Sequence, residues 1–474
     1  MRTSVIVIRA VVAAAAVALL SGPARAADPP GNANAAPALT SDEYERRIQQ
    51  LENSIKDLRK DTRQLQVAGE EEAKLKPIAG WDKGFFIQSP DGANKLNVGG
   101  YVHFDGRYFL NSGDAGTNTF LFRRARLDLK GKFLKYYEFK FMPDFAGGQV
   151  VIQDAYLNVN YVPWARVQAG KYKSPTGLER LQSANAIMFI ERALPTNLVP
   201  NRDLGFMLWG QPFYGALEYY LAVMDSAVDG GSLNNDTDLN DDKAFAGRVF
   251  ALPFKDTTWE PLRGFGIGLS GTVGRQKGSI TNPLLPQYRS DGQQVFFSYV
   301  TNSPATTPGT AFADGTQWRI SPQGYWYWGP AGFLWEYVQS NNGVSFNGVK
   351  ANVEANAWQT QFSYVVTGEN NTFRGTTPAK NFDPWTFLDG NWGAVEVAAR
   401  YSILSIDRSA FRNGFANPAR SARAANAWAL GVNWYLNPMV RLMLDFDRTT
   451  FNGGTAGGDR PSEQLIMSRV QFVF

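Results

Sequence analysis

Charged side chains recur at every second position from residue 124 to 132: Arg124, Arg126, Asp128, Lys130 and Lys132. Leu121, Ala125, Leu127, Leu129 and Phe133 share the other parity. A strand turns alternate residues to opposite faces, so four cations and one acid share a wall. Arg123 stands next to Arg124, and strict parity points it to the apolar face. A bulge or a subunit interface are two ways to reconcile it with its neighbours. Guanidinium forks without a carboxylate suit planar oxyanions, and rings of charge in a narrow passage sort ions by sign. Lys140, in the next alternating run, adds to this wall. A second group lies in 173–202, which carries Lys173, Arg180, Arg192 and Arg202 towards its ends and Ala184 to Ile190 as an apolar centre. Glu179 and Glu191 are there to pair with some of these arginines. A segment this long with an apolar middle is expected to pack on an inner wall and narrow a lumen. The alternative is an external loop with a short helix. A neutralising reading also stands, because Glu138, Asp144, Asp154, Glu396, Asp445 and Asp447 could cancel the wall.

Other chemistries are poorly served. The chain has no Cys and a single histidine, His103, so thiolate sites and two-histidine zinc motifs are excluded. No nucleophile motif accompanies His103, and no catalytic, cofactor or metal residue is assigned; the chain is not read as an enzyme. Formal charge is +4, but Arg2, Arg9 and Arg25 fall in a leader. The remainder is close to neutral and gives no reason to expect nucleic acid.

The elements that must position these groups are strands. In the last twelve residues Ile466, Ser468, Val470, Phe472 and Phe474 oppose Leu465, Met467, Arg469, Gln471 and Val473. Similar alternation recurs at 137–142, 154–161, 358–364, 395–402, 428–434 and 440–447. One face is too aromatic for water and the other too charged for a core, which suits a wall between lipid and water. Seventeen candidate strands follow residue 95. The run near Val295–Val300 sits among loop signals, and bacterial barrels use even numbers, so sixteen are predicted. At that size the inside is expected to be an aqueous channel and not a packed core. The fold class is thus all-β, a 16-stranded antiparallel transmembrane β-barrel over 95–474, with short turns at one end and long loops at the other.

Residues 1–27 read as a signal peptide cleaved near Ala26-Ala27, since Arg2 and Arg9 precede an apolar run and Ala24-Arg25-Ala26 is a small-x-small site. Residues 28–40 read as a disordered linker. In 41–68 Tyr44, Leu51, Leu58 and Leu65 fall seven apart, as do Ile48, Ile55 and Thr62. This is a heptad pattern, expected as a short coiled-coil helix starting near Ser41 and broken from Gly69, with 69–94 as a connector. A solvated single helix is the plainer alternative. The segment 28–66 could also reach periplasmic or cell-wall partners as a tether.

Four runs carry a resemblance: Phe122-Arg123-Arg124-Ala125, Thr176-Gly177-Leu178-Glu179, Glu191-Arg192, and Leu430-Gly431-Val432-Asn433-Trp434-Tyr435. They look like the phosphate-selective porin O and P family, over roughly 90–474. The resemblance implies a trimeric channel in the bacterial outer membrane, in contact with lipid, whose third long loop enters the lumen. It implies passive diffusion of small hydrophilic solutes, with phosphate or other oxyanions held between arginines and lysines. Arg123 and Arg124 match the family's paired arginines. Asn185, Glu138 and Tyr101 stand where the family pattern has lysine, lysine and arginine, so the alternative is a weakly selective general porin.

Overall fold

The computed structural model describes residues 40–82, 84–110, 116–233, 241–302 and 309–474. The expected leader and nearly all of the expected linker lie outside the described residues.

Helix α1 spans Ser41–Leu75. Its cap is Thr40 and not Ser41: the Glu43 carboxylate accepts from the Thr40 backbone N–H at 2.9 Å and from its hydroxyl at 3.2 Å, one half of a capping box. The helix runs past Gly69. A lone glycine costs about 1 kcal/mol against Ala, too little to end a helix that continues with Glu, Ala and Lys. Pro77 ends it, because the residue before a proline avoids helical backbone. Tyr44, Ile48, Leu51, Ile55, Leu58 and Leu65 are all at least 50% exposed. In 69–94 a hairpin of Ile78–Trp81 and Phe85–Gln88 forms, and its second strand pairs with Lys95–Val98.

Sixteen strands build the barrel. They are β1 Lys95–Phe109, β2 Thr119–Phe133, β3 Tyr137–Asp144, β4 Val151–Val162, β5 Ala165–Lys173, β6 Arg202–Gly210, β7 Leu217–Met224 and β8 Ala244–Ala251. There follow β9 Phe265–Lys277, β10 Phe312–Trp328, β11 Ala331–Phe346, β12 Val349–Val365, β13 Ala394–Ile406, β14 Ala422–Tyr435, β15 Val440–Thr455 and β16 Glu463–Val473. Each pairs antiparallel with the next, and β16 closes on β1 from Leu465 opposite Phe109 to Val473 opposite Tyr101. Arg469 clamps that seam with two bonds of 2.7 Å to the Asp105 carboxylate. Val295–Ser298 is not a wall strand; it pairs with Gln287–Arg289 in a separate hairpin within 278–311. Along β12, Trp358, Phe362 and Tyr364 are exposed while Gln359, Gln361 and Ser363 are buried. The period-two pattern therefore sorts the faces directly.

The interior departs from the open-channel expectation. Against the inner faces of β11–β15 lies a packed apolar core. Leu194, Leu198 and Val199 from 174–201 meet Tyr288, Phe296, Phe297 and Tyr299 from 278–311, and Ala410 and Phe415 from 407–421. Inward Val338, Val344, Val353, Leu404 and Ile406 complete it. Burying such side chains is favourable by about 1.5–3 kcal/mol each, so loops fill this half of the barrel and leave water to the other. The ends also differ from the simple pattern. Only 347–348 separate β11 from β12 at the long-loop end, whereas 366–393 form a long connection at the short-turn end.

Candidate functional site

Two sequence runs steer the segment 174–201 across the lumen. Gly177 takes φ +79°, and a Cβ there would stand 2.9 Å from Val199 and 3.1 Å from Glu336 Oε1. The chain thereby turns inward, and the Leu178 and Glu179 amides donate to the Glu336 carboxylate of β11 at 2.7 and 3.3 Å. Gln359 of β12 donates to both Glu336 and Glu179 at 3.0 Å. On the far side, Asn433 of β14 donates to Met188 O at 2.9 Å, Asp445 of β15 accepts from the Ile190 amide, and Arg441 donates to Ile187 O at 2.9 Å. At Gly431 a Cβ would meet Asp445 Oδ1 at 2.8 Å and Phe189 at 3.2 Å. The Gly431 and Asn433 positions therefore seat the loop.

The paired arginines meet it from the opposite wall. His103 pairs with Arg124 and Phe104 with Phe122, which leaves Arg123 as the extra residue of a β-bulge. The bulge resolves the parity conflict: Phe122 faces outward, 57% exposed, and Arg123 turns in. Arg123 Nε and Nη2 donate to the two oxygens of Glu191 at 2.5 and 3.1 Å, and Arg107 adds a bond of 2.8 Å. Although burial alone raises a carboxylate, these arginines hold Glu191 well below its ordinary range. Arg124 is buried and lacks such a partner. Its Nη1 lies 3.2 Å from His103 Nδ1, and His103 Nε2 lies 2.9 Å from Asn185 Oδ1. The ring nitrogen facing a guanidinium must accept, so the imidazole proton sits on Nε2 and is donated to Asn185. Asn185 is thus an anchor of the loop.

Between the bulged wall, β3–β6 and the loop lies a cavity of about 1090 Å³ lined by nine cationic and five acidic side chains. The sequence-predicted Arg123, Arg124, Arg126, Lys140, Arg180, Arg192 and Arg202 all line it, as do Asn185 and Glu191. Several are neutralised. Arg126 binds Asp144 at 2.7 Å, and Lys140 and Arg202 share Asp154 at 3.3 and 2.9 Å. Among the described residues, Arg124, Lys173, Arg180 and Arg192 form no ion pair. Lys173 donates to Leu181 O and Gln182 O, Arg180 to Thr196 O, and Arg192 to Glu179 O and Gln182 O. Carbonyls satisfy donors without cancelling charge. Burial, with Arg192 and Arg202 nearby, pushes Arg180 down to about 9; burial likewise pushes Arg192 down to about 10.

Three expected residues lie elsewhere. Lys130 is exposed at 3.7 Å from Asp128, and Lys132 stands opposite Glu138 in the β2–β3 register. Each two-residue step carries a side chain about 6.6 Å along the strand, so both fall below the cavity. Glu179 is fully buried behind it, accepting from the Ala193 amide and Gln359. Tyr172 and Arg289 also line the cavity; Tyr172 comes from β5 with the inward parity of Gln168, whereas Arg289 is brought there only by the tertiary fold of 278–311.

The chain matches the family described as Phosphate-selective porin O and P over residues 96–474. It is 24% identical to Porin O of Pseudomonas aeruginosa over 427 residues, covering 82% of this chain and 91% of that protein. The fold is similar to the crystal structure of the outer membrane channel DcaP of Acinetobacter baumannii, with a TM-score of 0.51 and 13% identity over 84% of this chain and 100% of that one. With sixteen strands closed, a loop seated across the lumen and the family matched across the whole barrel, the chain belongs to the phosphate-selective porin O and P family and is an outer-membrane porin.

Proposed function

We infer that the pore passes small hydrophilic solutes by diffusion and favours oxyanions, with phosphate the first candidate because the family description names it. The carrying observation is the set of buried Arg124 and half-buried Lys173, Arg180 and Arg192, which line one cavity and have no carboxylate partner among the described residues. Cations held by carbonyls in a confined lumen attract a counter-ion more strongly than the same cations in water. No step requires bond making, so the function is channel activity without catalysis. The zero-current potential in a KCl gradient across a planar bilayer tests this. The sign for anions supports the reading, and the sign for cations overturns it. A weakly selective general pore is the second reading, favoured by the pairs that Asp144 and Asp154 make with Arg126, Lys140 and Arg202. It predicts a potential near zero.

The assembly is a homotrimer in this reading. Strands β3, β5, β6, β7 and β8 have only 8 or 9 residues, whereas β10–β12 have 16 or 17. Eight residues at about 3.3 Å each and roughly 45° tilt rise only about 19 Å, short of the roughly 25 Å apolar band. The low sector is therefore covered by neighbouring copies and the tall sector by lipid. The heptad stripe of α1 associates with its counterparts as a coiled coil or reaches a periplasmic partner, and the leader is cleaved near Ala26-Ala27.

A further inference from the structure

Below the cavity, on the inward face near the short-turn end, cations and aromatic rings stack in an unbroken row. The Arg166 guanidinium carbon lies 4.4 Å from the Trp209 ring centre. Trp209 stacks on Tyr220 at 5.8 Å and 6°. Arg248 lies 5.5 Å from Tyr220 on one side and 4.5 Å from Phe250 on the other. Phe250 meets Tyr325 at 5.1 Å. Tyr325 then stacks at 4.9 Å on Phe373, which belongs to the long 366–393 connection.

Parity places the row in the lumen. Phe206, Leu208, Leu221, Val223, Phe245 and Val249 are exposed on the outer face. Trp209 shares its parity with Met207, which lines the cavity two residues above it. The connection is tied inward: Asn371 donates to Ser363 Oγ at 2.7 Å and Glu396 Oε1 at 2.9 Å, and Gln182 donates to Phe373 O at 2.8 Å. The row thus begins on β5 and ends under the constriction loop.

The row is more than packing. Trp209, Tyr220, Tyr325 and Phe373 are each partly exposed. Among the described residues Arg166 makes no ion pair, and the Nε atoms of Arg166 and Arg248 are buried without a partner. Glu218 is the acid beside them, 3.4 Å from Arg248. Flat rings alternating with guanidinia offer π faces and positive charge at once. A compact oxyanion uses only the charge. A solute with a flat ring and an anionic group uses both.

We propose that this row is a second solute site, a track for ring-bearing organic anions of the aryl carboxylate class leaving the cationic cavity. The proposal rests on the anion reading above. It is tested with benzoate and acetate, which share a carboxylate and differ in the ring. Each is added to the short-turn side of porin-containing bilayers carrying KCl current, and the concentration that halves the current is measured. Benzoate is expected to act at about five-fold lower concentration than acetate, and Trp209→Leu to bring the two together. Equal concentrations in the unaltered porin, or a Trp209→Leu ratio still near five, overturn the proposal. Should Trp209→Leu fail to insert, Phe373→Leu on the connection replaces it, with a fall in the ratio expected and no change fatal. If the anion reading itself fails, the KCl potential carries the cation sign. If only the track fails, that potential keeps the anion sign while the ratio is one.

Discussion

Replacing Arg124 by Gln isolates the charge of the constriction from its architecture. Arg124 is buried at 4% exposure, and its hydrogen-bond partner is the neutral His103 ring. Its removal leaves no carboxylate stranded, so the folding cost is that of one ordinary hydrogen bond, about 0.5–1.5 kcal/mol. Arg123 is the opposite case. It is clamped on Glu191, and removing one partner of a buried ion pair costs about 3–5 kcal/mol. A hydrogen bond to a charged group is worth about 1.5–3 kcal/mol. For an oxyanion in the cavity, loss of Arg124 therefore weakens binding by roughly 10- to 100-fold, since about 1.4 kcal/mol is a factor of ten. The assay is phosphate block of KCl current through single channels, with thermal release of the folded barrel in detergent measured alongside. Arg124→Gln should raise the half-blocking phosphate concentration at least ten-fold with little change in melting, and Arg123→Gln should lower the melting temperature because it weakens the clamp on Glu191. A less than two-fold change for Arg124→Gln would refute the argument that unpaired charge sets affinity.

Glu336→Ala strands the Leu178 and Glu179 amides, each at about 1–3 kcal/mol, so the constriction loop should loosen. Single-channel recordings should then show larger, noisier steps; steps identical to the unaltered porin would count against the tether. Glu191 is held below its ordinary value of 4.5. A depressed carboxylate stabilises above its ordinary value and loses that contribution only as pH falls through the folded value. The Glu191 clamp should thus stay ionised from pH 7 down to about 4.5, and Glu191→Gln should enlarge the step at pH 7; a step unchanged in that variant would show that the clamp does not hold the loop. A peptide spanning residues 41–75 should self-associate in sedimentation experiments through its exposed heptad stripe, and persistent monomer at millimolar concentration would dismiss the coil.

Much of this was legible in the order of residues. Alternation such as Trp358, Phe362 and Tyr364 against Gln359, Gln361 and Ser363 fixes which side of a strand meets lipid, because side-chain direction follows from backbone period alone. The number of wall strands followed from the same rule, together with the loop character around Val295–Val300. Arg124, Arg126 and Lys140 reached the cavity for that reason. Helix α1 was visible too, although its length depended on the small cost of one glycine.

What alternation cannot express is an interruption of itself, or a contact between distant segments. Arg123 is inward only because one residue slips out of register opposite Phe104 and His103. Whether Arg124 is free and Arg123 is clamped depends on where Glu191 comes to rest, 68 positions further along. The apolar filling against β11–β15 arises where three loops meet, and the row from Arg166 to Phe373 spans strands whose partners are set by closure. Period two is a local property of each strand, so sequence settled the wall and its two solvents. Charge balance in the lumen is a sum over neighbours in space, and only the closed barrel with its loops folded inward decided that.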